Sequence, residues 1–148
     1  MAPRIEQLAD DTAFPAAADA IVFEQDTELI LRMDLPARYP AESDDRLICD
    51  ALAARGHAPG MVVALDGAPL RLLAIVHDLA REPSWSEDWI AKAYSGIAHE
   101  VRARGLREIV TPLLGRVHGR YDRQRSRALL EAALRAYRVA PRVWLRDA

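Results

Sequence analysis

The stretch from Thr111 to Tyr121 constrains the fold most, because it joins a strand-like segment directly to an amphipathic helix. It contains Gly115 and Gly119 together with two arginines and a histidine. Glycine tolerates positive φ and lets a backbone approach a ligand closely, while the free N–H groups at a helix N-terminus attract anions. The stretch therefore predicts an anion-binding loop at the end of a strand.

Apolar strand-like runs alternate with amphipathic helical patterns through the rest of the chain. The predicted strands are Ala20 to Phe23, Met61 to Leu65, Leu70 to His77, Glu108 to Leu114 and Arg142 to Arg146. The predicted helices run from Ser43 or Asp44 to Gly56, from Ser86 to Gly105, and onward from an Asp122 cap. This order predicts a single α/β domain over residues 1–148, a three-layer α/β/α arrangement around a mixed sheet. Ligands of such sheets bind at the carboxyl ends of the strands, where the glycine loop falls.

Local signals support two of these elements. An Asp66-Gly67 pair between two apolar runs predicts a hairpin. Ser86 with two following acids is typical of a helix N-terminus, and Gly105 is typical of its end. By contrast, Glu24 to Glu28 forms a polar exit from the first strand, which we expect to be exposed to solvent.

Composition argues against several classes of protein. No apolar run reaches the roughly 20 residues that a membrane helix needs, and no secretory leader is visible, so we expect a cytoplasmic protein that does not enter a membrane. Cys49 is the only cysteine, which excludes an internal disulfide. His77-Asp78 is similar to the metal-binding pair of phosphohydrolases, but His57 and His99 supply no further ligands at a recognisable spacing. We expect neither a metal nor a cofactor.

The charges are unevenly distributed. Residues 1–100 hold eight Lys/Arg and eighteen Asp/Glu, whereas residues 101–148 hold twelve Arg and four acids. The basic part lacks the interleaved aromatic residues of single-strand binders, which argues against nucleic acid. This charge pattern leaves open that the chain binds a protein partner or a second copy of itself.

Four segments occur in an order typical of one known family: Ala9 to Thr12, Ala20 to Asp26, Ala74 to His77, and Thr111 to Tyr121. They resemble, in that order, the Gly-Asp-Ile-Thr, Ala-Ile-Val-Asn-Ala-Ala-Asn, Val-Ile-His and Phe-Pro-Ala-Ile-Ser-Thr-Gly motifs of the macro domain. The resemblance covers nearly the whole chain. It implies a fold that binds ADP-ribose and related nucleotides.

The resemblance also implies a set of ligand-binding residues. Asp10 falls on the carboxylate that accepts the adenine amino group, and Gly115 and Gly119 would bracket the diphosphate. The other candidates are Asp26, Arg116, His118, Arg120 and Tyr121, of which the arginines and histidine replace small or aromatic residues in a loop one residue shorter.

The departures from the family lie in the first loop. Phe23 and Asp26 replace its paired asparagines, and residues 32–42 replace its glycine-rich run. The sequence therefore favours nucleotide binding without the family's usual hydrolysis. Two alternatives stay open: a hydrolase in which Asp26 or His118 activates water, and an association domain whose cleft is filled by Phe23 or the Pro36 to Pro40 loop. No Ser/His/acid or Cys/His pairing is visible in the sequence.

Overall fold

The computed structural model describes residues 3–8, 18–29 and 57–146. These residues form six strands and two helices. The elements are β1 (Arg4–Gln7), β2 (Ala20–Asp26), β3 (Val62–Leu65), β4 (Leu70–His77), α1 (Glu87–Arg104), β5 (Glu108–Pro112), α2 (Arg123–Ala136) and β6 (Arg142–Arg146). The predicted helix before Gly56, the Pro36 to Pro40 loop and Asp10 lie outside the described residues.

The strands form one mixed sheet in the order β1-β6-β5-β2-β4-β3. All neighbours run parallel except β3, which pairs antiparallel with β4. The mixed sheet and the hairpin around Asp66-Gly67 are thereby confirmed, with Leu65 opposite Arg71. Because the central strands are parallel, the carboxyl ends of β2, β4 and β5 meet at one edge of the sheet.

The edge strand β1 was not predicted. It has only four residues, and both its terminal residues, Arg4 and Gln7, are exposed. Its parallel pairing with β6 makes it a strand, with Arg4 opposite Arg142 and Gln7 opposite Leu145. A strand this short and polar gives no apolar run that sequence reasoning can detect.

Both helices begin at the predicted caps. The Ser86 side chain accepts a hydrogen bond from the Trp89 amide, and Asp122 accepts one from the Arg125 amide. Gly105 ends α1 with φ of 62°, a left-handed conformation in which glycine avoids the usual Cβ penalty. These caps fix where α2 begins, and so where the preceding glycine loop must end.

Apolar side chains bury both faces of the sheet, as a three-layer domain requires. One face packs against α1 and α2 through Val22, Leu72, Tyr94, Ile97 and Leu130. The other face buries Ile21, Phe23, Leu73, Ile75 and Val110. The observed class is α/β with a mixed sheet, as predicted. Within the described residues, no helix has the length and apolar character needed to cross a membrane.

Candidate functional site

The glycine loop lies between Leu113 and Asp122, directly after β5 and ahead of α2. Gly115 adopts φ of +87°, and a Cβ there would lie 2.7 Å from Ile90 Cδ1 and 2.7 Å from Tyr121 Cβ. Both the conformation and the crowding require glycine. The backbone therefore turns sharply at Gly115, against the sheet edge and α1.

Two buried hydroxyls hold the start of this loop. The Leu114 amide donates to the Tyr94 hydroxyl at 2.8 Å, and the Ser126 hydroxyl donates to the Leu114 carbonyl at 2.7 Å. The Tyr94 hydroxyl therefore donates to Ser126 Oγ, 2.7 Å away. Burial raises the pKa of Tyr94, so its hydroxyl stays neutral. Tyr94 of α1 and Ser126 of α2 thus both hold the backbone of Leu114.

Glu24 occupies the inner side of the glycine loop. Its Oε1 accepts a hydrogen bond of 2.7 Å from the Gly115 amide, and its Oε2 accepts one of 3.0 Å from the His118 amide. The loop binds an anion as predicted from its glycines, but that anion is a carboxylate of the same chain. The expectation that Glu24 to Glu28 is exposed to solvent is wrong for its strand residues, since Glu24 is only 3% exposed and Asp26 is fully buried.

Strand alternation explains the position of Glu24. Ala20 and Val22 face the helices, whereas Ile21 and Phe23 face the opposite side of the sheet. Since successive side chains alternate, Glu24 points to the helix side, where the loop lies. Phe23 is part of the core on the far face of the sheet.

His77 extends this arrangement from the end of β4. Its Nε2 lies 2.6 Å from Glu24 Oε2, and its Nδ1 lies 2.8 Å from Ser84 Oγ. A carboxylate only accepts, so Nε2 donates to Glu24, and Nδ1 shares the second hydrogen bond of the ring with the Ser84 hydroxyl. The structure thus brings together a serine, a histidine and an acid that the sequence did not reveal as a set.

A pocket of about 520 Å³ opens on the outer side of the loop. Ser84, Trp85, His118, Gly119 and Arg120 are among the residues that line it. A Cβ on Gly119 would lie 2.7 Å from the Trp85 indole, so glycine allows the loop to pack against this ring. The pocket has an aromatic wall and an exposed guanidinium at its rim.

Several polar groups at this pocket have no partner in the described part of the chain. The Gly119 and Arg120 amides donate to no described residue. Nε2 of His118 is buried and is not hydrogen-bonded to any residue that the structure describes. Since buried polar groups are normally paired, His118 Nε2 is the atom at this pocket that a ligand contact would satisfy.

The end of the loop is held by Tyr121, Glu87 and Arg125. The Tyr121 hydroxyl donates to Glu87 Oε1, which also accepts from Arg125 Nε at 3.0 Å. The hydrogen bond from Tyr121 lowers the pKa of Glu87. Burial, followed by the neighbouring Glu87 carboxylate, raises the pKa of Tyr121 to about 12. This cluster ties the loop to the first turn of α1.

The predicted site residues separate into groups. Gly115, Gly119, His118 and Arg120 lie together in and around the loop. Asp10 lies outside the described residues.

Asp26 and Arg116 do not line this pocket, and each makes a hydrogen bond within its own segment. Asp26 Oδ2 accepts from the Glu28 amide at 3.1 Å within the buried end of β2. Arg116 is exposed and donates to the Tyr121 carbonyl at 3.1 Å.

Sequence reasoning missed Glu24, His77, Ser84 and Trp85 as a set. A charged residue inside an otherwise apolar strand was the available signal for Glu24, because an unpaired buried carboxylate is too costly to persist. No group of three or more His, Cys, Asp or Glu side chains within residues 3–8, 18–29 and 57–146 could hold a metal ion.

The fold is similar to that of solved macrodomains. The macrodomain of Thermus aquaticus DarG has a TM-score of 0.72 at 15% identity, over 98% of this chain and 97% of that chain. The macrodomain of Mycobacterium tuberculosis DarG has a TM-score of 0.72 at 13% identity, over 99% of both chains. The Oceanobacillus iheyensis macrodomain with ADP has a TM-score of 0.62 at 14% identity, over 88% of this chain and 76% of that chain.

The sequence itself gives no match of this kind. No family model matches it, and no curated protein does. The structural similarity nevertheless spans almost the entire chain. The protein therefore has a divergent macro domain fold, as the order of its motifs predicted.

Proposed function

We propose that this protein binds ADP-ribose or a related phosphorylated nucleotide on the outer side of its glycine loop, without the hydrolysis that the family's paired asparagines support. The observation that carries the proposal is that Gly119 and Arg120, whose amides donate to no described residue, line one pocket together with the exposed Arg120 side chain. Unpaired N–H groups next to a guanidinium are suited to phosphate oxygens. The Oceanobacillus iheyensis macrodomain with ADP supports a nucleotide as ligand for this fold.

Glu24 determines which part of the loop the phosphate uses. The Gly115 and His118 amides already donate to its carboxylate, so a diphosphate would bind through the outer amides instead. The negative charge of Glu24 is shared with these two N–H groups and with His77, which limits repulsion of an incoming phosphate. Trp85 offers a flat apolar surface beside the phosphate position for a ribose or base.

Isothermal titration calorimetry of the full chain with ADP-ribose tests the proposal. Arg120→Ala should weaken binding by about 1.5 to 3 kcal/mol, because a charge-assisted hydrogen bond to phosphate is lost. Arg127→Ala is the matched control. Arg127 pairs with Glu131 at 3.2 Å on the exposed face of α2 and does not line the pocket. Its loss should leave the affinity unchanged.

Adenosine serves as the control ligand, since it carries the base and ribose without phosphate. Binding of ADP-ribose that is much tighter than binding of adenosine, and sensitive only to Arg120→Ala, would support the proposal. The absence of binding to ADP-ribose, ADP and pyrophosphate alike would contradict it. Equal losses in Arg120→Ala and Arg127→Ala would show a general charge effect and would also contradict it.

A further inference from the structure

A side chain of β2 and two from the end of β4 and the loop after it form a continuous hydrogen-bonded row beside the pocket. Ser84 Oγ contacts Nδ1 of His77 at 2.8 Å, and Nε2 of His77 contacts Glu24 Oε2 at 2.6 Å. We propose that this row makes Ser84 a nucleophile that takes the acyl group from a small ester bound in the pocket. The proposal concerns acyl transfer and does not depend on nucleotide binding.

The order of the row, a hydroxyl, then an imidazole, then a carboxylate, is the one that general-base catalysis requires. Because Glu24 Oε2 accepts from Nε2 of His77, an imidazole with a single proton carries that proton on Nε2. Nδ1 is then free to take the proton of Ser84. In the common Ser-His-Asp arrangement, Nε2 faces the serine and Nδ1 faces the acid. Here the two nitrogens are exchanged, but the order of hydroxyl, imidazole and carboxylate is the same.

Burial divides the row into a protected and an accessible part. The side chains of His77 and Glu24 are fully buried, so water does not compete for their hydrogen bond. Ser84 is half-buried and lines the pocket, which places it on the wall that a bound ester would face. The Ser84 carbonyl accepts a hydrogen bond of 2.7 Å from the Asp78 amide, and the backbone of Trp85 forms an antiparallel β-bridge with that of His77. These contacts hold the serine against the end of β4.

The pocket also offers donors for the charge that develops during acyl transfer. Gly119 and Arg120 line it, and their amides are not paired with any residue of the described ranges. Backbone N–H groups of this kind stabilise an oxyanion in acyl-transfer enzymes. Arg120 adds a positive charge at the rim, which favours an ester that also bears an anionic group.

The step balances without a further reactant. Ser84 Oγ bonds to the acyl carbon while its proton moves to Nδ1 of His77, and Glu24 stabilises the imidazolium through Nε2. The bond to the alcohol then breaks, and the alcohol leaves with the proton from Nδ1. Water attacks the acyl-serine by the same route, which releases the acid and restores the serine.

Covalent labelling of the full chain with an alkyl fluorophosphonate tests this proposal. Ser84 should displace fluoride and gain one phosphonyl group, located by peptide mass mapping. Ser84→Ala should abolish the adduct and reduce hydrolysis of p-nitrophenyl acetate to the rate of the uncatalysed reaction. Ser95→Ala is the matched control, because Ser95 is a half-buried serine of α1 that does not line the pocket, and it should react like the wild type.

A further variant separates catalysis from folding. Ser84→Thr keeps a hydroxyl on His77 but crowds the attack, so it should melt like the wild type and label more slowly. An unlabelled Ser84 in a folded wild-type chain would overturn the proposal. So would ester hydrolysis that persists unchanged in Ser84→Ala.

Discussion

The Gly115 amide donates a hydrogen bond of 2.7 Å to Oε1 of Glu24, 91 residues earlier in the chain. This contact places a carboxylate of β2 inside the loop that follows β5. It means that the anion-binding geometry predicted from the glycines is present and is already used by the protein itself. Ligand binding is therefore expected on the outer side of the loop.

Removal of the Glu24 carboxylate should destabilise the fold. Glu24→Ala leaves the Gly115 and His118 amides and Nε2 of His77 without their acceptor in a buried site. We expect a loss of about 3 kcal/mol in the free energy of unfolding, measured in urea. Glu131→Ala, which breaks an exposed pair on α2, should cost less than about 0.5 kcal/mol. Equal costs would mean that Glu24 does not stabilise the loop.

Gly115→Ala should be more damaging than Gly105→Ala, although both residues have positive φ. At Gly105 a Cβ meets nothing within 4 Å, so only the left-handed penalty of about 1 kcal/mol applies. At Gly115 the same Cβ would lie 2.7 Å from Ile90 and Tyr121. Thermal unfolding should show a clearly larger loss of stability for Gly115→Ala. Similar losses would contradict the close packing of the loop.

Tyr94→Phe should loosen the loop locally. The variant removes the acceptor of the Leu114 amide and a donor to Ser126, and leaves a buried N–H unpaired. We expect a cost of about 1 to 3 kcal/mol. Hydrogen exchange of the Leu114 amide should accelerate more than that of amides in the centre of β4. Unchanged exchange at Leu114 would argue against the Tyr94 clamp.

The alkaline limb of the stability curve should report on Tyr121. Because folding raises the pKa of this hydroxyl from 10.0 to about 12, its contribution is fully present below pH 10 and is lost as the pH rises to about 12. Between pH 10 and 12, the free energy of unfolding measured in urea should therefore fall more steeply for the wild type than for Tyr121→Phe. Parallel curves would mean that the Tyr121 hydroxyl is not held neutral by burial and Glu87.

Local patterns in the sequence were sufficient for most of the fold. The caps at Ser86 and Asp122, the stop at Gly105 and the Asp66-Gly67 hairpin depend on neighbouring residues, and all four are present. The edge strand at Arg4–Gln7 escaped prediction because its pairing partner, and not its own composition, makes it a strand.

The site was less predictable because its contacts join distant segments. His77 and Glu24 are 53 residues apart, and nothing in either local sequence identifies the other as its partner. The polar residues Glu24 to Glu28 suggested an exposed exit, whereas the end of β2 pairs with β4, and Glu24 and Asp26 are buried there. The glycine loop was recognisable, but the carboxylate that it binds was not.

An NMR titration of the full chain with ADP-ribose tests the central claim, that Glu24 holds the inner amides while ligand uses the outer ones. The resonances of the Gly119 and Arg120 amides and of the Trp85 indole N–H should show the largest changes in chemical shift. The Gly115 amide resonance should not move, because its hydrogen bond to Glu24 persists. The largest shift at Gly115, or no shift around the loop at saturating ADP-ribose, would contradict the account.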